Sequence, residues 1–228
     1  MTEPMESTGL KLNGAALELL PSGALLWPER ALLAVADLHL EKASSFARKG
    51  QFLPPYDSRA TLERLEAVLA GVTVERVICL GDSFHDRQAA ARLDPESAAR
   101  LADFTARYDW TWIAGNHDPD PSGPWGGRVL EELVLGPLVF RHEAEARLGD
   151  GEVSGHYHPK AAIRVRGRRM SFRAFLEDGR RMILPAFGSL TGGLDAGDPA
   201  FAPLFPQGLR AHLLGRKKVA SLPLEALA

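Results

Sequence analysis

The sequence predicts an α/β fold with parallel strands at its core. In the first half of the chain, short apolar runs typical of buried strands alternate with longer segments that have helical spacing. The strand-like runs cover residues 31–36, 75–80 and 110–114, and the helical segments cover residues 58–70 and 95–108. Because a helix between two strands returns the chain to the same edge of a sheet, this alternation favours parallel pairing.

The two helical segments carry start signals as well as periodicity. In the first, apolar residues recur every three or four positions from residue 62 to 69, and Asp57 or Ser58 is the predicted N-cap. In the second, Asp94 is the predicted N-cap and Pro95 takes the first helical position. Both segments are therefore predicted to be α-helices.

The second half of the chain is predicted to be rich in short strands. These strands cover residues 138–140, 152–154, 161–165, 171–176, 181–184, 209–214 and 218–222. A chain of 228 residues suits one domain with a substantial core. We therefore expect the two halves to share a core within a single domain over residues 1–228.

Composition narrows the class of protein. Hydrophobic residues make up 45% and charged residues 25%, and no apolar run is long enough to span a bilayer. The first residues lack the basic and apolar regions of a secretory signal. A single cysteine, Cys79, excludes an internal disulfide framework, and its apolar strand makes it a predicted core residue. We expect a cytoplasmic protein.

The net charge of −2 gives no global basic field for nucleic acid, but the charge is locally uneven. Basic residues cluster between residues 160 and 181, where Arg164, Arg166 and Arg168 alternate as if along one strand face. The cluster is either a solvated sheet face or a surface for phosphate backbones. Trp125, in the Pro/Gly-rich loop 118–127, is either a stacking platform for an unpaired base or a loop-packing residue.

Five polar segments carry the chemistry, and five of the seven histidines fall within them. In order, they are Asp37-Leu38-His39, Gly81-Asp82, Gly115-Asn116-His117-Asp118, His142 and Gly155-His156-Tyr157-His158. All follow strand-like runs, and ligands of open α/β sheets bind outside the carboxyl ends of the strands. Each segment alone is a weak signal, so the prediction of a metal site depends on their shared order.

The residue types suit divalent cations. Alternate residues of an extended segment point the same way, so Asp37 can share an ion with His39, and His156 can lie beside His158. A carboxylate placed at a tight turn, such as Asp82 after Gly81, could bridge two ions. The side-chain oxygen of Asn116 is a ligand for hard or borderline cations.

These segments match, in order and without a gap, the five motifs of the calcineurin-like metallophosphoesterase superfamily, which the sequence resembles over residues 37–158. The resemblance implies a four-layer αββα sandwich, with two mixed β-sheets flanked by helices. It also implies two sets of metal ligands that share one carboxylate: Asp37, His39, Asp82 and His158 for one ion, and Asp82, Asn116, His142 and His156 for the other. His117 is implied to be unligated and to act as the catalytic general acid.

Further segments narrow the resemblance. DLHLEKASSFARKGQFLPPYD, TLERL and LPAFGSLTGGLD are similar to the ligase-associated DNA damage response endonuclease group, called PdeM or MPE, and extend the likeness over residues 37–195. This implies a manganese-dependent phosphodiesterase acting on DNA in repair, with a DNA ligase, a helicase and an exonuclease as pathway partners. A homodimer is a further expectation from the β-rich half.

Several alternatives stay open. Oxygen and imidazole ligands without a thiolate suit manganese, zinc or iron, with manganese favoured by the resemblance. The same site would serve a phosphomonoesterase or a cyclic-nucleotide phosphodiesterase. The alternative from another class of protein is a metal-free scaffold that binds partners. A scaffold has no need to keep metal ligands, whereas all the ligand positions and His117 are present here.

The remaining polar residues receive secondary roles. His85 matches no ligand position and is predicted to lie at the rim of the site, whereas His212 is predicted to be structural. Asp86 and Asp118 are predicted to orient imidazoles from behind. The glycine-rich segment 188–193 lacks the lysine of a P-loop and is predicted to pack tightly near the site.

Overall fold

The computed structural model describes residues 6–121, 123–146 and 149–228. The first five residues of the N-terminal segment and one residue of the loop 118–127 thus lie outside the described residues. Among the described residues, none of the helices has both the length and the apolar character needed to cross a bilayer.

The first sheet is mixed and contains the predicted parallel core. Its strands, in spatial as well as chain order, are β1 Thr8–Leu12, β2 Ala15–Leu19, β3 Leu25–Trp27, β4 Leu32–Ala36, β5 Arg76–Leu80, β6 Asp109–Ile113 and β7 Arg128–Leu130. β1 to β4 pair antiparallel, whereas β4 to β7 pair parallel. β4, β5 and β6 confirm the three strands predicted in this half of the chain.

The described part of this half contains three α-helices: α1 Lys42–Arg48, α2 Asp57–Gly71 and α3 Pro95–Arg107. α2 and α3 confirm the two predicted helices and bury one apolar face on the first sheet, where Leu65 and Phe104 meet Val77 and Trp110. Burial of a large apolar side chain contributes about 1.5–3 kcal/mol, so this layer is a main source of stability.

The second sheet is also mixed and holds the predicted short strands. Its members are β8 Glu132–Leu135, β9 Leu138–Arg141, β10 Glu152–Ser154, β11 Lys160–Val165, β12 Arg168–Glu177, β13 Arg181–Ile183, β14 Arg210–Leu214 and β15 Val219–Pro223. The order is β15-β14-β12-β13-β10-β9-β8, with β11 pairing the first half of the long strand β12. β10 pairs parallel with both β9 and β13.

The two sheets pack face to face over one apolar layer. Trp27 and Ile78 of the first sheet meet Phe140, Phe175 and Met182 of the second. The predicted α/β sandwich of two mixed sheets is confirmed, and the two halves of the chain share this core. Over the outer face of the second sheet, the covering layer is the 3-10 helix Pro199–Phe201 with the loop around it.

Of the two predicted helix N-caps, one is confirmed and the other is wrong. Asp94 caps α3 as predicted, because its carboxylate accepts hydrogen bonds from the backbone N–H groups of Glu96 and Ser97. The predicted cap of α2 is wrong: Asp57 accepts from the backbone N–H of Ala43 in α1, and Ser58 bonds to Glu41. These side chains instead satisfy the start of α1, which lies beside them.

We expect Asp94→Ala to lower the free energy of unfolding by about 1 kcal/mol, because two N–H groups at the start of α3 lose their acceptor. Urea denaturation followed by circular dichroism measures the change. Asp103→Ala, on the exposed last turns of the same helix, is the matched control and should cost less. An Asp94→Ala variant no less stable than this control would contradict the assigned cap.

Candidate metal centre

The polar segments converge where the carboxyl ends of the parallel strands meet. Asp37 follows β4, and Asp82 follows β5; His142 and His156 follow the parallel strands β9 and β10 of the second sheet. Backbone hydrogen bonds from His39 to Asp82 and from Leu40 to Ser83, each 2.9 Å, join the first two segments. The ends of both sheets thus contribute to one site.

The first group of converging side chains comprises Asp37, His39 and His158. The Nε2 atoms of His39 and His158 lie 3.1 Å apart, and the Nε2 of His158 lies 3.6 Å from the Oδ1 of Asp37. Nitrogens bound to one cation at about 2.1 Å lie about 3.0–3.4 Å from each other. The spacing of the two rings therefore fits a shared divalent ion.

The second group comprises Asp82, His142 and His156, and Asn116 lies within it. The Oδ1 of Asn116 lies 2.8 Å from the Nε2 of His142 and 3.2 Å from the Nδ1 of His156, and these two nitrogens are 3.1 Å apart. An amide oxygen and two ring nitrogens thus face one point. The structure therefore has two candidate metal sites.

Asp82 lies between the two groups. Its Oδ2 is 3.5 Å from the Nε2 of His142 in the second group and 3.8 Å from the Nε2 of His39 in the first. Its other oxygen accepts a hydrogen bond from the backbone N–H of His117 at 2.9 Å. That bond fixes the carboxylate and leaves Oδ2 directed between the two groups.

The burial and charge of the side chains in the site also favour the binding of cations. Asp37 and Asp82 are buried, at 0% and 2% exposure, and the cationic side chains found near them in the described part of the chain are imidazoles. Buried carboxylates without a Lys or Arg partner are costly unless a cation compensates them. Burial and, after it, the nearby His158 lower the pKa of His39 to about 2, so the ring is neutral, as metal ligation requires.

Backbone conformation shows that one local expectation is wrong. Asp37, His39, Asp82, His156 and His158 all have positive φ, between 43° and 71°. The Asp37–His39 and His156–His158 segments are therefore not the extended chain that the alternation suggested. Residues in this region cost energy and cluster at functional sites, and Asp and His tolerate it better than most.

His117 lies at the open side of the site. Its ring Nδ1 lies 2.9 Å from the backbone carbonyl of His85, and its Nε2 lies 3.9 Å from the Oδ2 of Asp82. With Nδ1–H donating to that carbonyl, Nε2 is the nitrogen that faces the site. The side chain is 41% exposed, so this nitrogen is accessible to a substrate.

His85 is more closely tied to the site than the sequence indicated. Its ring stacks on His117 at 5.2 Å and lies edge-on to His39 at 5.3 Å. Burial and, after it, the charge of Lys42 lower the pKa of His85 to about 4, so the ring is neutral at neutral pH. His85 therefore supports the position of His117.

The predicted imidazole-orienting roles of Asp86 and Asp118 are wrong in the described part of the chain. Asp86 forms a two-pronged ion pair with Arg92, at 2.7 and 3.0 Å. Asp118 accepts a hydrogen bond from the backbone N–H of Phe84 at 2.8 Å, and burial raises its pKa to about 8. Both carboxylates hold the loop after β5 rather than a ring.

Other predictions outside the ligand segments have mixed outcomes. His212 is buried and bonds to Ser221 and Glu177, and Cys79 is a buried free thiol, so both structural predictions are confirmed. Trp125 is buried and stacks on Phe84, which excludes the base-stacking role and favours loop packing.

The alternating arginines also differ from expectation. Arg164 is the last residue but one of β11, Arg166 lies in the turn and Arg168 begins β12. They therefore surround the tip of a hairpin and do not line one strand face. The predicted tight packing of segment 188–193 is confirmed: a Cβ on Gly193 would lie 1.9 Å from the carbonyl oxygen of His158.

Gly81 allows His142 to approach. A Cβ at this position would lie 2.1 Å from the Nδ1 of His142, and its φ is +68°. We expect Gly81→Ala to displace the ring and to lower hydrolysis of a phosphodiester by about a hundredfold, the usual cost of a misplacement of about 1 Å. Hydrolysis rates and bound metal per chain measure this effect.

Gly179→Ala is the matched control, because Gly179 has a φ of +81° and open space around the Cβ position. This control should lose some stability from backbone strain but keep its activity and its metal. Equal losses of activity in the two variants would mean that strain, and not the displaced ring, explains the effect.

Comparisons with known proteins agree with the site. The calcineurin-like phosphoesterase family model matches residues 31–182. No curated protein sequence matches the chain. Among solved structures, the nuclease MPE of Pseudomonas putida has a TM-score of 0.74 at 33% identity, over 95% of this chain and 100% of that one. A conserved predicted phosphoesterase of Streptococcus pneumoniae TIGR4 is similar at 14% identity and a TM-score of 0.35, over 84% and 96% of the two chains.

The fold and the site define a metal-dependent hydrolase of phosphoester bonds, and the chain belongs to the calcineurin-like phosphoesterase family. Within that family it belongs to the MPE group, which includes the Pseudomonas putida protein. The resemblance seen in the sequence is confirmed at both levels.

Proposed function

We propose that the protein is a two-metal phosphodiesterase that cleaves DNA, with Asp82 shared between the two ions. The observation that carries the proposal is the position of the Asp82 Oδ2 between the two groups of ligand atoms. Asp37, His39 and His158 complete one set, and Asn116, His142 and His156 complete the other. The similarity to a nuclease over 95% of the chain supports a nucleic-acid substrate.

The chemistry divides between the ions and the side chains. When bound, two divalent ions supply charge neutralisation at the phosphoryl oxygens and lower the pKa of the attacking water. The buried carboxylates of Asp37 and Asp82 hold the positive charge at the base of the site. The open side, formed by Asn116 and His117, admits the phosphodiester.

His117 is the proposed general acid. The carbonyl of His85 accepts a hydrogen bond from Nδ1–H, so Nε2 presents a proton to the site when the ring is in its imidazolium form. Transfer of that proton to the departing oxygen neutralises the alkoxide that forms as the P–O bond breaks, and leaves a neutral imidazole. Neutral His85, stacked against the ring, limits its rotation.

Manganese is the proposed ion, and DNA repair in the cytoplasm is the proposed setting. Ligand oxygens and imidazoles without a thiolate support manganese, although zinc and iron use the same atoms. Repair, and the DNA ligase, helicase and exonuclease partners, rest on the resemblance alone. A homodimer stays a prediction that light scattering would measure.

The test measures DNA cleavage by the purified protein, either loaded with manganese or treated with a chelator. The substrates are single-stranded, duplex and stem-loop DNA. We expect endonucleolytic products with manganese and none after chelation. Adenosine monophosphate and a cyclic nucleotide serve as small substrates in the same assay. Turnover of these without cleavage of any DNA would favour the phosphomonoesterase or cyclic-nucleotide alternative. A metal-free, inactive protein would favour a scaffold.

A further inference from the structure

A cavity of about 390 Å³ opens between α2, the β11–β12 hairpin and the loop after Phe187. Three cationic side chains and three hydroxyls line it: Arg64, Lys160, Arg173, Ser171, Ser189 and Thr191. The described residues lining it include no Asp or Glu. The cavity is thus a concentrated positive site on a protein whose net charge is −2.

Within the described ranges, no carboxylate forms an ion pair with the cations of this cavity. Arg64 and Arg173 both donate to the backbone carbonyl of Phe187, and Arg173 also donates to that of Ala186 at 3.0 Å. The buried Nε of Arg64 has no hydrogen-bond partner in the described part of the chain. Carbonyl oxygens orient the two guanidinium groups but do not cancel their charge.

Crowding of like charges makes the arrangement costly without an anion. Lys160 lies directly opposite Arg173 in the antiparallel β11–β12 ladder, where like charges destabilise a sheet. Burial and, after it, the adjacent Arg173 lower the pKa of Arg64 to about 10. An anion with several acceptor oxygens would relieve this repulsion and satisfy the donors.

The cavity adjoins the first group of metal ligands. Gly188, in its wall, donates a backbone hydrogen bond to the carbonyl of Asp37 at 3.1 Å. Lys160 follows His158 by two residues. The cavity and the first group of metal ligands are therefore direct neighbours in the fold.

We propose that this cavity binds a second phosphate of the DNA strand, adjacent to the phosphate that lies at the metal centre. The inference rests on the proposed function and extends it, because it explains how the protein would favour a polynucleotide over a substrate with one phosphate. The arginines supply paired N–H donors for the phosphate oxygens, and Lys160 and the hydroxyls complete the site.

The test compares two ligands that differ by one phosphate, thymidine 5′-monophosphate and thymidine 3′,5′-bisphosphate. Titration calorimetry measures the binding of each to the metal-loaded protein, so the result does not depend on turnover. We expect the bisphosphate to bind about tenfold more tightly to the wild type, as one charged hydrogen-bonded contact allows. Lys160→Gln and Arg173→Gln should each reduce this advantage.

Arg128→Gln is the matched control, because Arg128 is exposed on β7, pairs with Asp109 and lies outside the cavity. It should keep the tenfold advantage. Lys160→Gln covers the case in which Arg173→Gln fails to fold, since Arg173 also bonds to the backbone. Equal affinities in the wild type, or an advantage retained in every folded cavity variant, would overturn the proposal.

Cleavage of an oligothymidylate by the same preparation tests the proposed function separately. Cleavage of the oligothymidylate together with equal binding of both nucleotides would support the proposed function and contradict the second-phosphate site. A protein that does not cleave it loses the DNA assignment on which the role of the cavity rests.

Discussion

Asn116→Ala is expected to abolish metal-dependent phosphodiester hydrolysis while leaving the fold intact. Asn116 is exposed, so its truncation removes little packing, but its Oδ1 faces both ring nitrogens of the second group. Losing even an outer partner of a metal ligand costs about 10–100-fold in affinity or activity, so losing a proposed ligand should cost more. His156→Ala should have the same effect.

Bound metal, measured by mass spectrometry, and hydrolysis of bis(p-nitrophenyl) phosphate at saturating metal check this prediction. Asn116→Asp keeps an oxygen at the position and should retain part of the activity. His212→Ala is the matched control for His156→Ala: it should lose about 1–3 kcal/mol of stability, because Glu177 and Ser221 each lose a hydrogen-bond partner, yet keep its metal. Unchanged turnover in Asn116→Ala or His156→Ala would refute the proposed ligand set.

His117→Ala is expected to slow hydrolysis most for substrates with poor leaving groups. A general acid contributes about 10²–10⁴-fold when the departing oxygen is basic, and much less when a nitrophenolate leaves without a proton. Rates for an alkyl phosphodiester and a nitrophenyl phosphodiester, each compared with the wild type, measure the difference.

His85→Ala is the control for this experiment. It removes the stacked ring but keeps the backbone carbonyl that orients His117. We expect a much smaller loss for the alkyl substrate than in His117→Ala, because the acid itself stays in place. If His117→Ala lowered the rates for both substrates equally, the role of general acid would be wrong.

The order of the ligand segments could be predicted because each follows a strand-like run. β4, β5 and β6 are apolar and continuous, and parallel strands bring their carboxyl ends to one edge. Asp37 and Asp82 therefore had to lie near each other once the strands paired. The proximity of His142 and His156 to these carboxylates depends on how the second sheet packs on the first. Strand patterns do not reveal that packing, so this part of the site was predicted from the order of the motifs alone.

The local geometry of the ligands could not be predicted from alternation. Asp37 and His39 adopt positive φ because the chain leaves β4 and turns, and the bond from the His39 N–H to the Asp82 carbonyl holds that turn. This bond joins residues from different strands, so a local pattern does not reveal it. For the same reason, the stacking of His85 on His117 was not foreseen.

The sequence contains a recognisable turn signal for the N-terminal hairpin, which was not among the predicted elements. β1 and β2 flank Asn13-Gly14, both with positive φ, and Asn-Gly between alternating runs is a strong indication of a two-residue hairpin. β7 and β8 are three and four residues long and gain their pairing from neighbours. β10 is as short as β7 and was predicted, so length alone does not decide which short strands the sequence reveals.

If Asp82 is shared by two ions, electron paramagnetic resonance of the manganese-loaded protein should show it. Two ions per chain bridged by a carboxylate should be magnetically coupled, and Asp82→Ala should remove that coupling. A single ion per chain, or two ions that give independent signals in the wild type, would show that Asp82 is not shared.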